Sequence, residues 1–201
     1  MLDPALRALV RSLATHRPIR VEPRPDFAQA SVALLVRPAP TLFDVLLIRR
    51  AERVGDPWSG HMAFPGGRRE PEDATALATA IRETEEEVRI DLAASGTLIG
   101  ALDDIAPRGA SRKIVVSPFV FAVPEETVAS TTPEVFATHW IPVHRLRARE
   151  ARGQYLHYLD TGAHMRFPAY THEGQVIWGL THRILQQFLE LAPRSNASGL
   201  K

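Results

Sequence analysis

Three glutamates, Glu83, Glu86 and Glu87, stand at spacing i, i+3 and i+4 in a stretch that contains neither glycine nor proline. At about 100° per residue of an α-helix, they share one arc of the helix surface, away from an apolar stripe. Like charges at this spacing repel each other, and nothing structural requires the arrangement. A hard divalent cation resolves the repulsion, because it takes oxygen ligands and binds between carboxylates and phosphates. The apolar stripe consists of Leu77, Ile81, Thr84 and Val88.

A Pro-Gly-Gly segment precedes this helix and predicts a turn. Gly66 and Gly67 lack a Cβ, so the backbone there could approach a ligand closely. Arg82 directly precedes the first of the three glutamates and could orient a carboxylate through a bidentate pair. An acidic stretch on a helix is usually just a solvated face, which is the alternative interpretation. The order of a strand, Pro-Gly-Gly, Arg-Glu and then Glu-Glu is far more specific to a functional site than the acidic stretch or the Pro-Gly-Gly segment alone.

With these residues, the sequence resembles the Nudix hydrolases, whose box reads G, five residues, E, seven residues, R-E-U-x-E-E-x-G-U, where U is a bulky apolar residue. The matching positions are Gly67, Arg82, Glu83, Glu86, Glu87 and Ile90. The resemblance implies an α/β/α sandwich with a mixed sheet in a single domain. It also implies hydrolysis of a nucleoside diphosphate linked to another group, with Mg²⁺ or Mn²⁺ as cofactor. The implied metal ligands are Glu83, Glu86, Glu87 and the carbonyl oxygen of Gly66.

The box departs from the general pattern at a few positions. The gap between its glycine and its arginine is one residue longer, so the first acid should fall at Ala74. Asp73 can stand in for that acid only by a shift. Thr84 replaces a larger apolar residue, and Arg89 replaces the last glycine. These departures leave the three glutamates intact.

The longer gap and residues 63–73 are similar to the coenzyme A diphosphatase branch of the family. Further similar segments lie at residues 46–51, 132–135 and 176–181, so the resemblance covers most of residues 31–190. It implies coenzyme A or its thioesters as substrate, cleaved to a phosphopantetheine and an adenosine bisphosphate. A Nudix diphosphatase acting on ADP-ribose, nucleotide sugars or other nucleotides is one alternative. A non-catalytic nucleotide- or cation-binding module on the same fold is another.

Glu134 precedes a predicted strand, at a position that resembles that of an additional Nudix glutamate, a fourth ligand or general base. An acid at a strand start is otherwise simply solvated. The proton acceptor is therefore either Glu134 or one of the helix glutamates. Arg50 and Arg53 lie between a strand and the glycine segment, where they could bind phosphate, although exposed arginines are commonly only solubilising. We expect catalysis by Arg82, Glu83 and Glu134, and substrate binding by Gly66, Gly67, Arg50 and Arg53.

The remaining sequence predicts the elements that position these residues. Helices are predicted over residues 3–15, 74–88, 142–149 and 178–191. Strands are predicted over residues 31–36, 43–48, 114–123 and 135–141, the first two as a pair. Asp73 is a plausible cap for the second helix, Pro118 indicates a bulge or an edge position, and the arginines of 145–152 indicate a solvated helix face. Strands and helices interleave, which indicates one mixed α/β domain.

Composition limits the classes of protein and partner. The chain has 201 residues, 45% of them hydrophobic, which is too apolar for a disordered chain and long enough for one domain with a substantial core. A formal net charge of +1 gives no reason to expect nucleic acid or an anionic membrane as partner. The lack of cysteine excludes disulfides, thiolate metal sites and cysteine nucleophiles. No apolar run approaches the roughly 18–20 residues of a membrane span.

We therefore expect a cytoplasmic enzyme that binds a small-molecule nucleotide, and the sequence leaves open whether it forms a homodimer. Residues 1–30 would form an N-terminal helix and connector, residues 31–192 the Nudix domain, and residues 193–201 a polar C-terminal tail.

Overall fold

The computed structural model describes residues 3–22, 24–55, 58–106, 113–158 and 164–194. Within these ranges the strands form a seven-stranded mixed sheet and a three-stranded antiparallel sheet. The large sheet comprises β1 (Ala28–Ala39), β2 (Leu42–Arg50), β3 (Met62–Ala63), β4 (Gly66–Arg68), β5 (Thr97–Ala101), β6 (Ile114–Ala122) and β7 (Val135–Pro142). The small sheet comprises β8 (Arg152–Tyr158), β9 (His164–His172) and β10 (Gln175–Trp178). The helices are α1 (Pro4–Thr15), α2 (Ala76–Val88), α3 (Leu92–Ser95), α4 (Val143–Arg147) and α5 (Gly179–Leu191).

Strand β1 organises the large sheet. It pairs antiparallel with β2 and parallel with β6, and the strand order is β3-β2-β1-β6-β5. Strand β4 pairs with the first half of β1, and β7 pairs with β2. The predicted strand pair over 31–36 and 43–48 is confirmed, although both strands are longer.

The large sheet is apolar on both faces, because alternate residues of β1 point in opposite directions. Leu34 and Val36 belong to a buried cluster that also contains residues of α1 and α5. Ala33 and Leu35 belong to a second cluster, which contains residues of α2. Helices therefore cover both faces of a mixed sheet, and the predicted fold class is confirmed.

Helix α2 carries the three glutamates and begins after Thr75. The Thr75 hydroxyl accepts a hydrogen bond from the backbone N–H of Ala78 at 3.1 Å, and Arg89 ends the helix in the left-handed conformation with φ 60°. The prediction that Asp73 caps the helix is wrong, since that side chain is buried and bonds elsewhere. The predicted stripe does face the core, with Thr84 and Val88 buried and Leu77 and Ile81 packed beside them.

The Pro-Gly-Gly segment was predicted as a turn, and that prediction is wrong. Gly66 and Gly67 form part of β4 and pair with Val32 and Ser31 of β1. The pairing of β1 with β2 is confined to the second half of β1, so the edge of its first half is open to β4.

Pro118 lies inside the large sheet, in β6 between β1 and β5, so the predicted edge position is wrong, whereas the alternative of a bulge agrees with an irregular pairing beside it. Its carbonyl accepts the N–H of Leu102 at 3.0 Å on the β5 side. Strand β5 ends at Ala101, opposite Phe119. Val116, two residues before Pro118, pairs with Ile105, three residues after Leu102. The segment after β5 thus has one extra residue here, and the missing N–H of Pro118 falls at this irregularity.

The sequence predicts a solvated face for the arginines of 145–152, but one of these arginines bonds to another helix. Arg147 donates hydrogen bonds to the carbonyls of Leu189 at 2.6 Å and Ala192 at 2.7 Å, and so caps the C-terminus of α5. Strand β5, helix α3 and the small sheet were not predicted. Residues 195–201 of the expected tail lie outside the described ranges. No helix among the described residues is long and apolar enough to cross a membrane.

Candidate active site

Strand β4 lies against helix α2 and brings the two glycines to two of the three glutamates. The N–H of Gly66 donates a hydrogen bond to Glu87 Oε2 at 2.9 Å. A Cβ on Gly67 would collide with the carboxylate of Glu83, and one on Gly66 would collide with the backbone of β1. Gly66 also has φ 151°, a conformation that other residues rarely adopt. Position 66 therefore requires glycine, and glycine at position 67 lets the Glu83 carboxylate approach the strand closely.

Burial raises the pKa of the carboxyl groups of Glu83 and Glu87. Glu87 is 3% exposed, and burial raises its pKa to about 7, although the Gly66 N–H and the Arg50 guanidinium oppose the rise. Burial also raises the pKa of Glu83, against the opposing effect of Arg82. The charges of Glu83 and Glu134 raise the pKa of Glu87 further. Glu83 and Glu87, with the two glycines beside them, form what we call the acidic centre. Its carboxylate charges are poorly solvated.

Arg82 is held by a bidentate pair with Asp73. Arg82 Nε donates to Asp73 Oδ1 at 3.0 Å, and Nη2 donates to Oδ2 at 2.9 Å. Asp73 also accepts hydrogen bonds from the Thr79 hydroxyl and the Glu70 N–H. The hydrogen bonds from Arg82 hold the pKa of Asp73 well below its usual range, despite burial. Asp73 therefore fixes the guanidinium group of Arg82.

The remaining contacts of Arg82 reach the predicted ligands. Its Nη2 lies 3.1 Å from Glu83 Oε1, and its Nη1 donates to Glu86 Oε2 at 3.1 Å. The bidentate pair predicted between Arg82 and a ligand carboxylate is thus made with Asp73, whereas Glu83 and Glu86 each receive one contact. Arg82 joins the loop before α2 to the acidic face of the helix.

The three predicted metal ligands are not arranged alike. Glu83 and Glu87 meet at the two glycines, whereas the Glu86 side chain is 57% exposed and turns towards Arg82. In the part of the chain that the structure describes, no three Asp, Glu or His side chains form a ready-made cation cage. The donor set nevertheless fits a divalent cation, because the buried carboxylate of Glu87 and the partly buried one of Glu83 repel each other, and oxygen donors suit Mg²⁺ or Mn²⁺.

Arg50, Arg53 and Glu134 form the rim of this acidic centre. Arg50 Nη1 lies 3.7 Å from Glu87 Oε1, and Arg53 Nη2 lies 3.2 Å from Glu134 Oε1. The backbone carbonyl of Glu134 accepts the N–H of Ala51 at 2.9 Å, which ties the start of β7 to the end of β2. The Glu134 side chain is 52% exposed. The structure thus brings every predicted site residue to the junction of β2, β4, β7 and α2.

The family of this protein follows from the match of its sequence to a family model. The model of the NUDIX domain matches residues 27–159, more than half of the chain. The chain belongs to the Nudix family. A Yersinia enterocolitica protein named "Uncharacterized Nudix hydrolase NudL" is 34% identical over 164 residues, which span 81% of this chain and 80% of that protein. A Yersinia pestis protein of the same name is 33% identical over 167 residues, 81% of this chain and 78% of that protein.

A solved structure agrees with this fold. The crystal structure of a MutT/nudix family protein from Enterococcus faecalis matches with a TM-score of 0.56 over 95% of this chain and 75% of that chain. At 14% identity, the likeness concerns the fold alone. The prediction of a Nudix hydrolase is confirmed by the family match, and enzymes of this family act on phosphorus-containing anhydrides, generally with a divalent cation.

The sequence did not reveal how Asp73 and Arg50 take part in this Nudix site. For Asp73 the sequence did contain one indication, because the one-residue expansion of the box predicts an acid displaced by one position. The contact between Arg50 and Glu87 depends on the pairing of β2 with β7 and on α2 packing over them, which no local pattern encodes.

Proposed function

We propose that this Nudix hydrolase cleaves the diphosphate linkage of coenzyme A or its thioesters to a phosphopantetheine and an adenosine bisphosphate. The observation that carries the diphosphatase part is the packing of the Glu83 and Glu87 carboxylates against Gly66 and Gly67, with arginines at the rim. A site with buried acids and nearby guanidinium groups suits a cation and a diphosphate together.

The metal would be Mg²⁺ or Mn²⁺, held by Glu83, Glu86, Glu87 and the carbonyl of Gly66. A cation bound there would neutralise charge on the diphosphate and lower the pKa of an attacking water. Arg82 keeps the carboxylates of Glu83 and Glu86 in place, because Asp73 fixes its guanidinium from the other side. This clamp would preserve the arrangement of the ligands while the substrate binds and leaves.

The rim residues would bind and activate the reactants. Arg50 and Arg53 would donate hydrogen bonds to non-bridging oxygens of the diphosphate, since guanidinium groups match phosphate geometry. Glu134 would accept the proton of the water that attacks phosphorus, while the bond to the bridging oxygen breaks. It is half-exposed, so water can reach its carboxylate, and its charge already acts on Glu83 and Glu87.

The substrate proposal is supported by the positions of the segments that resemble the coenzyme A branch. Residues 46–51 end β2 beside Glu87, residues 63–73 include β4 and Asp73, and residues 132–135 lead into β7 with Glu134. These segments are far apart in the chain but surround one acidic centre in the fold.

A substrate panel tests the proposal. Turnover of coenzyme A, acetyl-coenzyme A, ADP-ribose and nucleotide sugars would be followed by chromatography of the released nucleotide, with Mg²⁺ and with Mn²⁺. We expect coenzyme A or its thioester to be cleaved fastest, and no turnover in EDTA. A panel that ranks coenzyme A last would contradict the substrate while leaving the diphosphatase chemistry standing.

A further inference from the structure

The small sheet carries a cluster of rings around Trp178, which we call the aromatic face. The ring of Tyr155 stacks on Trp178 at a centroid distance of 4.1 Å. His61, His157 and Phe167 surround the indole at 5.0, 5.3 and 5.4 Å. All five rings are only partly buried, unlike the fully buried phenylalanines of the core. Trp178 was predicted to begin the last helix, but it ends β10.

The alternation of side chains along the strands explains why these rings share a face. Tyr155 and His157 are two residues apart in β8, and Phe167 of β9 lies opposite Tyr155. Trp178 lies opposite Ala169. The small side chain of Ala169 leaves room beside the indole, so the aromatic rings of three strands can gather above the sheet.

The aromatic face is continuous with the acidic centre. The His61 carbonyl accepts a hydrogen bond from the N–H of Arg50 at 3.0 Å, as in a strand pair. Residues paired across antiparallel strands have Cα atoms about 5 Å apart. Arg50 Nη1 lies 3.7 Å from Glu87 Oε1, while the His61 ring lies 5.0 Å from Trp178. The arginine that contacts the acidic centre is therefore paired with the histidine that contacts the aromatic face.

We propose that the aromatic face binds the base of the nucleotide whose diphosphate lies at the acidic centre, a proposal that rests on the proposed function in taking the ligand to be a nucleotide. Planar bases stack on tyrosine, tryptophan and histidine rings. The Tyr155–Trp178 stack presents partly exposed rings that a further planar ring extends, and the imidazole of His157 supplies hydrogen-bonding groups for a base edge. The aromatic face would therefore make the enzyme bind nucleotides more tightly than diphosphates that lack a base.

Two probes that differ only in the nucleoside test this inference. α,β-Methylene-ADP and methylenediphosphonate both resist hydrolysis, and their binding to the Mg²⁺-loaded enzyme can be measured by titration calorimetry. We expect the nucleotide to bind at least tenfold more tightly. Tyr155→Leu should weaken binding of the nucleotide about tenfold, since one stacking contact is lost, and leave the diphosphonate unchanged. Tyr155→Phe keeps the ring and should bind both probes like the wild type.

Tyr158→Leu is the matched control, because Tyr158 lies on the same strand with its side chain on the other face and is 70% exposed. It should bind both probes like the wild type. Phe167→Leu is a second test if Tyr155→Leu does not fold, and it should weaken nucleotide binding alone. Equal affinity of the wild type for the two probes, or equal losses for both in Tyr155→Leu, would overturn the inference. If coenzyme A is not hydrolysed but the base-dependent difference persists, the proposed substrate fails and the base-binding face stands.

Discussion

Arg82 and Asp73 are joined by two parallel hydrogen bonds, at 3.0 and 2.9 Å, although they lie nine positions apart in the chain. The pair connects the loop after β4 to the acidic face of α2. Because Arg82 also contacts Glu83 and Glu86, it links two proposed metal ligands to Asp73. The contribution of the Arg82–Asp73 pair to stability and activity can be measured.

Asp73→Asn should destabilise the protein and lower its activity. The change removes the charge that accepts the two hydrogen bonds of Arg82 inside a partly buried network, at a cost of about 2–4 kcal/mol in the free energy of unfolding. We expect kcat to fall because Glu83 and Glu86 lose a fixed neighbour. Urea unfolding and steady-state kinetics measure both effects. Glu72→Gln, at an exposed neighbouring acid, is the control and should change neither.

The stability that Asp73 supplies should depend on pH. Its folded-state pKa lies well below its usual range, so its contribution is fully present above about pH 4, the unfolded-state value, and is lost as pH falls from there towards the folded-state value. The difference in unfolding free energy between wild type and Asp73→Asn should be constant from pH 7 to about pH 5. It should shrink by pH 3. A difference that grows on acidification would show that the ion pair is not its source.

Gly67→Ala should disturb the acidic centre without an unfavourable backbone conformation. The new methyl group would collide with the Glu83 carboxylate, so either β4 or Glu83 must move. Because the atoms it meets are the far end of the flexible Glu83 side chain, we expect little change in stability but at least a tenfold drop in kcat, since the carboxylate must leave its position. Gly153→Ala is the control, since a Cβ there meets only Thr171 Cγ2 at an ordinary 3.7 Å. Wild-type turnover in Gly67→Ala would mean that the approach of Glu83 to β4 has no role in catalysis.

Glu134→Gln should lower kcat by roughly 10²-fold or more if Glu134 accepts the proton of the attacking water. The variant keeps the size of the side chain and a possible hydrogen bond with Arg53, so KM should change little. Glu126→Gln, at an exposed acid in a turn, is the control. Near-wild-type kcat in Glu134→Gln would transfer the role of base to a helix glutamate.

The local patterns of the sequence predicted α1, α2, α5 and the pairing of β1 with β2, because these elements have strong apolar periodicity. The glutamate spacing and the glycines also predicted the residues that the fold brings together at the proposed site. The small sheet was missed because its strands are largely exposed and carry mixed side chains, so neither face forms an apolar run. Asp73 was taken for a helix cap because capping and pairing with a distant arginine have the same local signature. Only the folded chain distinguishes the two.

Glu87→Gln tests the central claim, that the helix glutamates hold a divalent cation at the diphosphate. Glutamine keeps the size of the buried side chain and can still accept the Gly66 N–H, while it removes a poorly solvated charge. In EDTA the variant should therefore melt at the same temperature as the wild type or slightly higher. Glu85→Gln, at an exposed glutamate on another face of α2, is the control.

The decisive measurement is thermal melting of the three proteins in EDTA and in increasing Mg²⁺, alongside turnover. A ligand that binds only the folded state at a hundred times its Kd stabilises by about 2.7 kcal/mol, which for a chain of this size raises Tm by roughly 5–10 °C. Wild type and Glu85→Gln should show this shift and full turnover, and Glu87→Gln should lose most of the shift and nearly all turnover. If Glu87→Gln keeps wild-type turnover and the full Mg²⁺ shift, Glu87 is not a metal ligand and the claim is wrong.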